Sequence, residues 1–354
     1  ERPEISVVYT FKWLGEDFTS LTHPELDSTN DVAFDQLNYL SVVYPIPRTI
    51  GGRNLVLSLN YQRKYDFDRN IDFDLGLLGP VGGGLGQVWH HAKYSQRGSL
   101  GSFSPAFGFE LTDRLSVGAV MNIWDEKFVP DNEWTTTNQD WIRTTVSLPG
   151  FAPASTFTRL RWDEKFENFE GINYTFGVLY KPTERLSLGA VYHTKFTADV
   201  DYTSIMRVMP LGGLPVIMRS ERPMEYTFPS AVGVGVAYRF PNDKLTLSMD
   251  ITRREWDQFV IHDPYNPSFL GKKRSGITNL PVDWSPHDPT WTVRFGGEYV
   301  FVNEKKPKQD FLPSLRAGLF YDPEPAGSQP DRWFGLGEAT GDVLAVNVND
   351  FSGD

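Results

Sequence analysis

The sequence predicts an all-β protein, an antiparallel up-and-down transmembrane β-barrel in which residues 1–354 form a single, incomplete barrel domain. Three observations predict this fold class. Apolar residues alternate with small or polar residues over strand-length segments, these segments recur as hairpins, and the connections are short at one end and long at the other. A strand with lipid on one face and a lumen on the other requires a side-chain period of two.

The hairpin at residues 103–124 shows the alternation most clearly. One face carries apolar side chains throughout: Phe103, Pro105, Phe107, Phe109, Leu111, Leu115, Val117, Ala119, Met121 and Ile123. The other face is dominated by Gly, Ser and Ala, where a soluble β-sandwich would present Lys, Glu and Thr to water. A soluble sandwich is the alternative, and the small residues favour a confined lumen.

Similar hairpins follow along the chain. Residues 183–191 repeat residues 112–120 almost one for one, and further alternating pairs occur at 172–193, 232–251 and 291–321. Counting the segments gives twelve strands, with a thirteenth starting near Trp333. Because each strand of an up-and-down barrel pairs with its sequence neighbours, hairpin repetition favours that architecture.

The connection lengths predict which end of the barrel faces outward. Those at 48–52, 112–114, 181–185 and 240–244 are short, and those near 13–33, 66–88, 128–168, 203–222 and 260–290 are long. Outer-membrane barrels have short periplasmic turns and longer extracellular loops. We therefore predict a bacterial outer-membrane protein whose longest extracellular loop is 128–168. Trp-Asp-Glu-Lys-Phe flanks that loop at 124–128 and 162–166, which suggests two girdle positions; coincidence is the alternative.

The composition excludes several function classes. A formal net charge of -11 argues against nucleic acid as a partner, because phosphate binding needs a basic surface. Without cysteine there is neither a disulfide framework nor a thiolate metal site. We expect no metal site and no cofactor, since His90 and His91 fall on opposite strand faces. The acidic loop lacks EF-hand spacing at Asp66, Asp68, Asp72 and Asp74.

Several motifs occur in an order that resembles a known family. They are Arg2-Pro3-Glu4-Ile5-Ser6, then Phe228-Pro229-Ser230 before a central hairpin, then Arg316-Ala317-Gly318-Leu319-Phe320-Tyr321-Asp322 followed by Pro325, and Pro330-Asp331-Arg332. Their order and spacing resemble the FadL family of outer-membrane transporters for long-chain fatty acids and other hydrophobic compounds. The resemblance implies fourteen strands and an N-terminal hatch, so this chain is expected to be a fragment that lacks the hatch and the last one or two strands.

The resemblance also implies a transport route. Hydrophobic cargo would pass by passive diffusion from an apolar extracellular groove into a barrel pocket, and then sideways into the membrane. Family members use a kink in the third strand for this exit, often with glycine. The segment Asn60-Tyr61-Gln62-Arg63 has no glycine, which leaves open whether release is lateral or periplasmic.

Two groups of residues are candidates for ligand binding. The predicted loop 128–168 carries the aromatic residues Trp134, Trp141, Phe151 and Phe157, which either form an exposed binding surface or pack the loop against the barrel rim. Alternation places Glu110, His193, Lys195, Asp250, Arg254, Arg294, Glu298 and Arg316 on the lumen face. Buried charges are expected to pair across the lumen. The cations could instead hold a carboxylate ligand: Arg254, Arg294 and Lys195 are the favoured residues, with Arg316 and His193 as further candidates.

The predicted function is therefore transport, without enzymatic activity. The expected partners are a long-chain fatty acid or another hydrophobic small molecule, together with outer-membrane lipid and lipopolysaccharide, and the expected state is a monomer. Two alternatives belong to other classes. A lipid-acting outer-membrane enzyme would need a Ser-His pair near the outer rim, and a general porin would need a wide lumen lined with charges.

Overall fold

The computed structural model describes residues 2–20, 23–47, 51–81, 84–130, 132–148, 150–241, 243–265, 272–278, 280–283, 287–301, 313–323, 325, 334–335 and 345–346. The strands are β1 (Glu4–Phe18), β2 (Ser28–Pro45), β3 (Leu55–Asp66), β4 (Arg69–Val81), β5 (Gly84–Thr112), β6 (Leu115–Trp124), β7 (Trp134–Ser147), β8 (Ala154–Tyr180), β9 (Leu186–His193), β10 (Phe196–Pro210), β11 (Val216–Phe228), β12 (Ala231–Arg239), β13 (Leu245–Arg254), β14 (Val260–His262), β15 (Arg274–Ser275), β16 (Thr290–Val300), β17 (Ser314–Tyr321), β18 (Phe334–Gly335) and β19 (Ala345–Val346). Short 3-10 helices occupy Pro24–Leu26 and Trp256–Gln258. In the described part of the chain, no helix combines the length and apolar character needed to cross a membrane.

The main sheet has two tiers joined end to end. The first, which we name the barrel wall, is antiparallel in the order β1-β2-β3-β5-β6-β8-β9-β12-β13-β16-β17. The second, the outer sheet, has the order β4-β5-β7-β8-β10-β11-β14-β15. Strands β5 and β8 run through both tiers. Within the described residues, β1 pairs with β2 alone and β17 with β16 alone.

The side chains of the barrel wall follow the predicted alternation. Phe107 and Leu111 are 47% and 46% exposed on the outside, while Ser102 and Ser104 are buried on the lumen side. The predicted short turns that fall within the described residues all lie at the end of the barrel wall that is farther from the outer sheet. The predicted antiparallel, up-and-down β fold is confirmed.

Residues 128–168 connect two strands of the barrel wall, as expected, but the prediction that they form a loop is wrong. Residues 134–147 and 154–180 are strands β7 and β8, which pair with each other over thirteen positions, from Trp134 opposite Phe166 to Val146 opposite Ala154. The predicted loops at 66–88 and 203–222 are also hairpins, β4 with β5 and β10 with β11. These segments are polar on the side that faces water, and Thr-rich segments such as 135–137 have high β propensity. The polar residues therefore correctly indicated that these segments meet water, but the inference that the segments are loops was wrong.

The strand count differs slightly from the prediction. The described part of the barrel wall has eleven strands against the twelve counted. Trp333, where a thirteenth was expected, and the turn around 303–310 lie outside the described residues. Phe334 and Gly335 pair only with Val346 and Ala345, in a two-stranded ladder separate from the main sheet.

Gly98 marks the passage of β5 from the outer sheet into the barrel wall. Its φ is +122°, and a Cβ placed there would lie 2.3 Å from the carbonyl oxygen of Glu133. We expect Gly98→Ala to destabilise the fold by about 1–3 kcal/mol, because an L side chain rarely adopts this backbone conformation. Urea unfolding in detergent, followed by tryptophan fluorescence, measures the loss. Gly108→Ala is the control, since a Cβ at Gly108 meets nothing within 4 Å; equal midpoints for the two variants would contradict the expectation.

Candidate functional site

A cavity of about 580 Å³ lies where the outer sheet meets the barrel wall. We name it the aromatic cavity, because its lining includes Trp134, Phe166, Tyr202, Tyr226, Phe228 and Trp256. Its volume lies in the range of about 300–1,000 Å³ that is usual for small-molecule sites. The cavity is bounded by the inward face of the outer sheet, chiefly β7, β8, β10 and β11.

The strand period of two places these rings inward. In β10, Phe196, Ala198 and Val200 are buried, while the residues between them are exposed. The outer sheet is thus apolar inside and polar outside, whereas the barrel wall is apolar outside. At three places where the chain passes between the tiers, the inward-facing residues switch between even and odd numbers, which we call a change of parity. The changes occur at Asn168 in β8, which has a φ of 53°, at the break between β9 and β10, and at the break between β11 and β12.

One wall of the aromatic cavity is polar. The carboxylate of Asp263, only 1% exposed, accepts hydrogen bonds from Arg222 Nε at 3.0 and 2.9 Å and lies 3.7 Å from Arg274 Nη2. The Tyr202 hydroxyl donates to Glu164 Oε1 at 2.6 Å, and the Arg222 guanidinium lies 4.6 Å from the centre of the Tyr202 ring. Burial raises the pKa of Glu164 above that of an exposed glutamic acid, against the opposing effect of the Tyr202 hydrogen bond.

Closely packed aromatic rings lie between the aromatic cavity and the lumen. Ring centres are 5.3 Å apart for Tyr65 and Phe228, 5.0 Å for Phe228 and Phe196, and 5.4 Å for Phe196 and Trp124. We name these four residues the aromatic layer. Trp124 is 1% exposed, and its indole Nε1 donates to Asn173 Oδ1 at 2.8 Å. A ligand that leaves the cavity toward the lumen must pass this layer.

A second space of about 340 Å³, the inner pocket, lies on the lumen side of the aromatic layer. Lys64, His193 and Arg254 line it together. Lys64 Nζ donates to Asn122 Oδ1 at 3.0 Å and lies 5.1 Å from the Trp124 ring centre. The contacts recorded for Lys64 and Arg254 within the described residues are to rings and an amide, and none is to a carboxylate.

Lys64 reaches this pocket because β3 is irregular. Its ladder with β5 shifts between Arg63 and Tyr65, which pair with Gly101 and Leu100, so that Lys64 is the extra residue of a bulge. The third strand therefore departs from regular pairing although residues 60–63 contain no glycine. The hydrogen-bonded ladder between β2 and β3 also ends here, at the pair Tyr39 and Gln62.

Comparison with known proteins gives the family. The model of the outer membrane protein transport protein family (OMPP1/FadL/TodX) matches residues 88–332. The chain belongs to this family. Its members are outer-membrane transport channels, and this FadL-family chain is accordingly a bacterial outer-membrane transport protein for hydrophobic compounds.

The chain is also similar to several solved structures. The Pseudomonas putida toluene transporter TodX is 14% identical, with 90% of this chain and 73% of TodX covered and a TM-score of 0.44. A Pseudomonas aeruginosa FadL homologue is 15% identical, with coverages of 92% and 71% and a TM-score of 0.42. The CymD monoaromatic hydrocarbon channel is 12% identical, with coverages of 91% and 75% and a TM-score of 0.41. No curated protein matches the chain.

The five cations predicted for the lumen of this FadL-family chain fall into three groups. His193 and Arg254 share the inner pocket. Arg294 and Arg316 instead form ion pairs with Asp250 at 3.3 Å and Glu298 at 2.9 Å. In each pair the partner is the residue directly opposite on the neighbouring wall strand, so these charges pair along the wall and not across the lumen as expected. The expected inward placement of Lys195 is wrong. The break between β9 and β10 turns Phe196 inward and leaves Lys195 exposed.

The predicted loop aromatics also separate. Trp134, 5% exposed, lines the aromatic cavity. Trp141 and Phe157 border an open groove of about 560 Å³ near the tips of the outer sheet, and Phe151 is 75% exposed at a hairpin end. The two Trp-Asp-Glu-Lys-Phe segments are not girdle positions, because Trp124 is buried in the aromatic layer and Trp162 lines the cavity.

Sequence analysis missed Lys64, Glu164 and Tyr202. A signal existed for two of them. Glu164 lies between Trp162 and Phe166 at the period of two, and Tyr202 continues the apolar series of β10. The bulge that turns Lys64 inward has no local signature in the sequence.

Proposed function

We propose that this protein carries long-chain fatty acids, among other hydrophobic compounds, across the outer membrane by passive diffusion. The observation that supports this proposal most strongly is the adjacency of the aromatic cavity and the inner pocket, which share Tyr65 and Phe228 in their linings. An amphipathic ligand with an apolar tail and an anionic head fits two such neighbouring spaces.

The tail and the head of the ligand have different roles in this proposal. Each methylene group of an acyl chain removed from water contributes about 0.8 kcal/mol, so the aromatic cavity takes up the chain without an energy source. The carboxylate then meets Lys64 and Arg254. Enclosing two cations without a counter-charge costs free energy, which a bound carboxylate would reduce. An Arg guanidinium can also hold a carboxylate through two parallel hydrogen bonds.

The aromatic layer disfavours a general porin. It closes the passage with stacked rings, among which Trp124 and Phe228 are 1% and 5% exposed. Polar solutes would have to displace these rings without any compensating contact. We further propose that a monomer is sufficient, because one chain supplies both spaces, and that the exposed apolar band of the barrel wall faces outer-membrane lipid and lipopolysaccharide.

The test is uptake of labelled oleate and toluene into liposomes containing the full-length protein. We expect the double variant Lys64→Gln with Arg254→Gln to lower oleate uptake about tenfold or more, since hydrogen bonds to charged groups contribute about 1.5–3 kcal/mol each. Toluene uptake should change little, because toluene has no head group. The control is Lys195→Gln, an exposed lysine outside the pocket. Undiminished oleate uptake by the double variant would refute the head-group site.

A further inference from the structure

The polar wall of the aromatic cavity contains a carboxyl group, that of Glu164, which the proposed transport of fatty acids does not use. Glu164 projects from β8 among Trp162, Phe166 and Tyr202, all of which line the same space. Its carboxyl group offers about four acceptor positions. In the described residues, the side-chain hydrogen bond recorded for it is the one from Tyr202. A partly buried acid with unused acceptor positions, facing a cavity, has the arrangement of a ligand-binding group.

The charges around Glu164 select the kind of ligand group. Within the described residues the polar wall holds two guanidinium groups, Arg222 and Arg274, and two carboxyl groups, Asp263 and Glu164. With Glu164 ionised, these charges sum to zero. An ammonium ligand would add a charge beside two arginines, and a carboxylate ligand would face Glu164. A pure hydrocarbon would cover the carboxyl group without replacing its lost water, which costs about 1–3 kcal/mol.

A neutral hydroxyl group avoids all three penalties. It can donate to the oxygen of the ionised Glu164 carboxylate that Tyr202 does not occupy, and it adds no charge to the polar wall. An aromatic ring attached to that hydroxyl would lie against Trp134 and Phe166, whose ring centres are 4.4 Å apart and nearly parallel at 9°.

We infer that the carboxyl group of Glu164, one oxygen of which accepts from Tyr202, forms a hydroxyl-binding subsite through which the aromatic cavity also takes neutral phenols and aromatic alcohols. The inference rests on the proposed transport function and adds a ligand class to it. It assigns Glu164 a role in specificity: the carboxyl group favours hydroxylated rings over hydrocarbon rings of the same shape.

The experiment uses 4-ethylphenol and ethylbenzene, which differ by one hydroxyl group. Binding to the full-length protein in detergent is followed by quenching of the cavity tryptophans and by competition with oleate. In the wild type we expect 4-ethylphenol to bind more tightly than ethylbenzene. Glu164→Leu should weaken 4-ethylphenol binding about tenfold, and should leave ethylbenzene binding unchanged or stronger, because one hydrogen bond and one desolvation cost are removed.

Two further variants keep the inference falsifiable if Glu164→Leu folds poorly. Glu164→Gln retains a donor and an acceptor and should keep most of the preference for 4-ethylphenol. Tyr202→Phe frees one carboxyl oxygen and should not abolish that preference. Equal losses for both ligands in Glu164→Leu, or an unchanged 4-ethylphenol affinity in a folded Glu164→Leu protein, would overturn the subsite. Failure of the wild type to bind either ethylbenzene or oleate would overturn the proposed function instead.

Discussion

Replacing Asp263 by alanine is expected to destabilise the outer sheet by about 3–5 kcal/mol, the usual cost of removing one partner from a buried ion pair. The Asp263 side chain has no exposed surface, and the Arg222 and Arg274 side chains are 18% and 8% exposed. Without the carboxylate, two enclosed guanidinium groups lose their shared counter-charge. Because Asp263 follows β14 and Arg274 lies in β15, the edge of the outer sheet should open first.

Limited proteolysis combined with urea unfolding measures this effect. Cleavage in the segment from 255 to 290 should accelerate strongly in Asp263→Ala, and the unfolding midpoint should fall. Asp257→Ala is the matched control, since Asp257 is exposed in the neighbouring 3-10 helix. If both variants were cleaved at the rate of the wild type, the ion pair would not hold this edge in place.

The second large effect is expected from Trp124→Ala. Removing this indole from the aromatic layer deletes contacts with Phe196, Phe169 and Tyr65 and the hydrogen bond to Asn173. Large aromatic-to-alanine substitutions in a packed core cost about 3–5 kcal/mol. The variant should also leak, because the missing ring leaves a gap between the aromatic cavity and the inner pocket.

Leakage and stability are measured separately. Urea unfolding in detergent gives the loss of stability, and entry of a small polar dye into liposomes gives the leak. Trp141→Ala is the control, since Trp141 lies in the open groove of the outer sheet and contacts His91 and Arg159 there. A stable Trp124→Ala protein without dye entry would show that the aromatic layer is not the barrier.

The barrel wall could be predicted from the sequence because lipid imposes a simple rule on it. Lipid-facing residues such as Phe107 and Phe176 must be apolar, and a period of two then reveals each strand. The outer sheet obeys no such rule, since its outer face meets water. Strand β7 and the outer-sheet part of β8 have the polar composition of a loop, although their backbones pair as regularly as those of the wall.

The candidate site was only partly predictable for a related reason. Alternation within β9 and β13 predicts that His193 and Arg254 face the lumen, and both line the inner pocket, because no interruption of the strand precedes them. The same alternation fails for Lys195, just beyond the end of β9, and it has no means of placing Lys64, which a bulge turns inward. Parity is reliable within one uninterrupted ladder and is lost where the ladder changes register.

The change of parity between the two tiers also fixes how deeply the protein sits in its bilayer. Just below the change, Tyr192 points outward with 46% exposure, and above it the exposed residues begin with Lys195 and Thr197 and continue with Asp199 and Asp201. If the barrel sank by one residue pair, about 6–7 Å along a strand, the charged side chain of Lys195 would approach the hydrocarbon, where charged groups are disfavoured. If it rose by the same distance, the lowest apolar rings would enter the periplasm. The parity change thus marks where the apolar outer surface of the barrel wall gives way to the charged outer surface of the outer sheet, and the aromatic cavity lies on the outer-sheet side of that boundary.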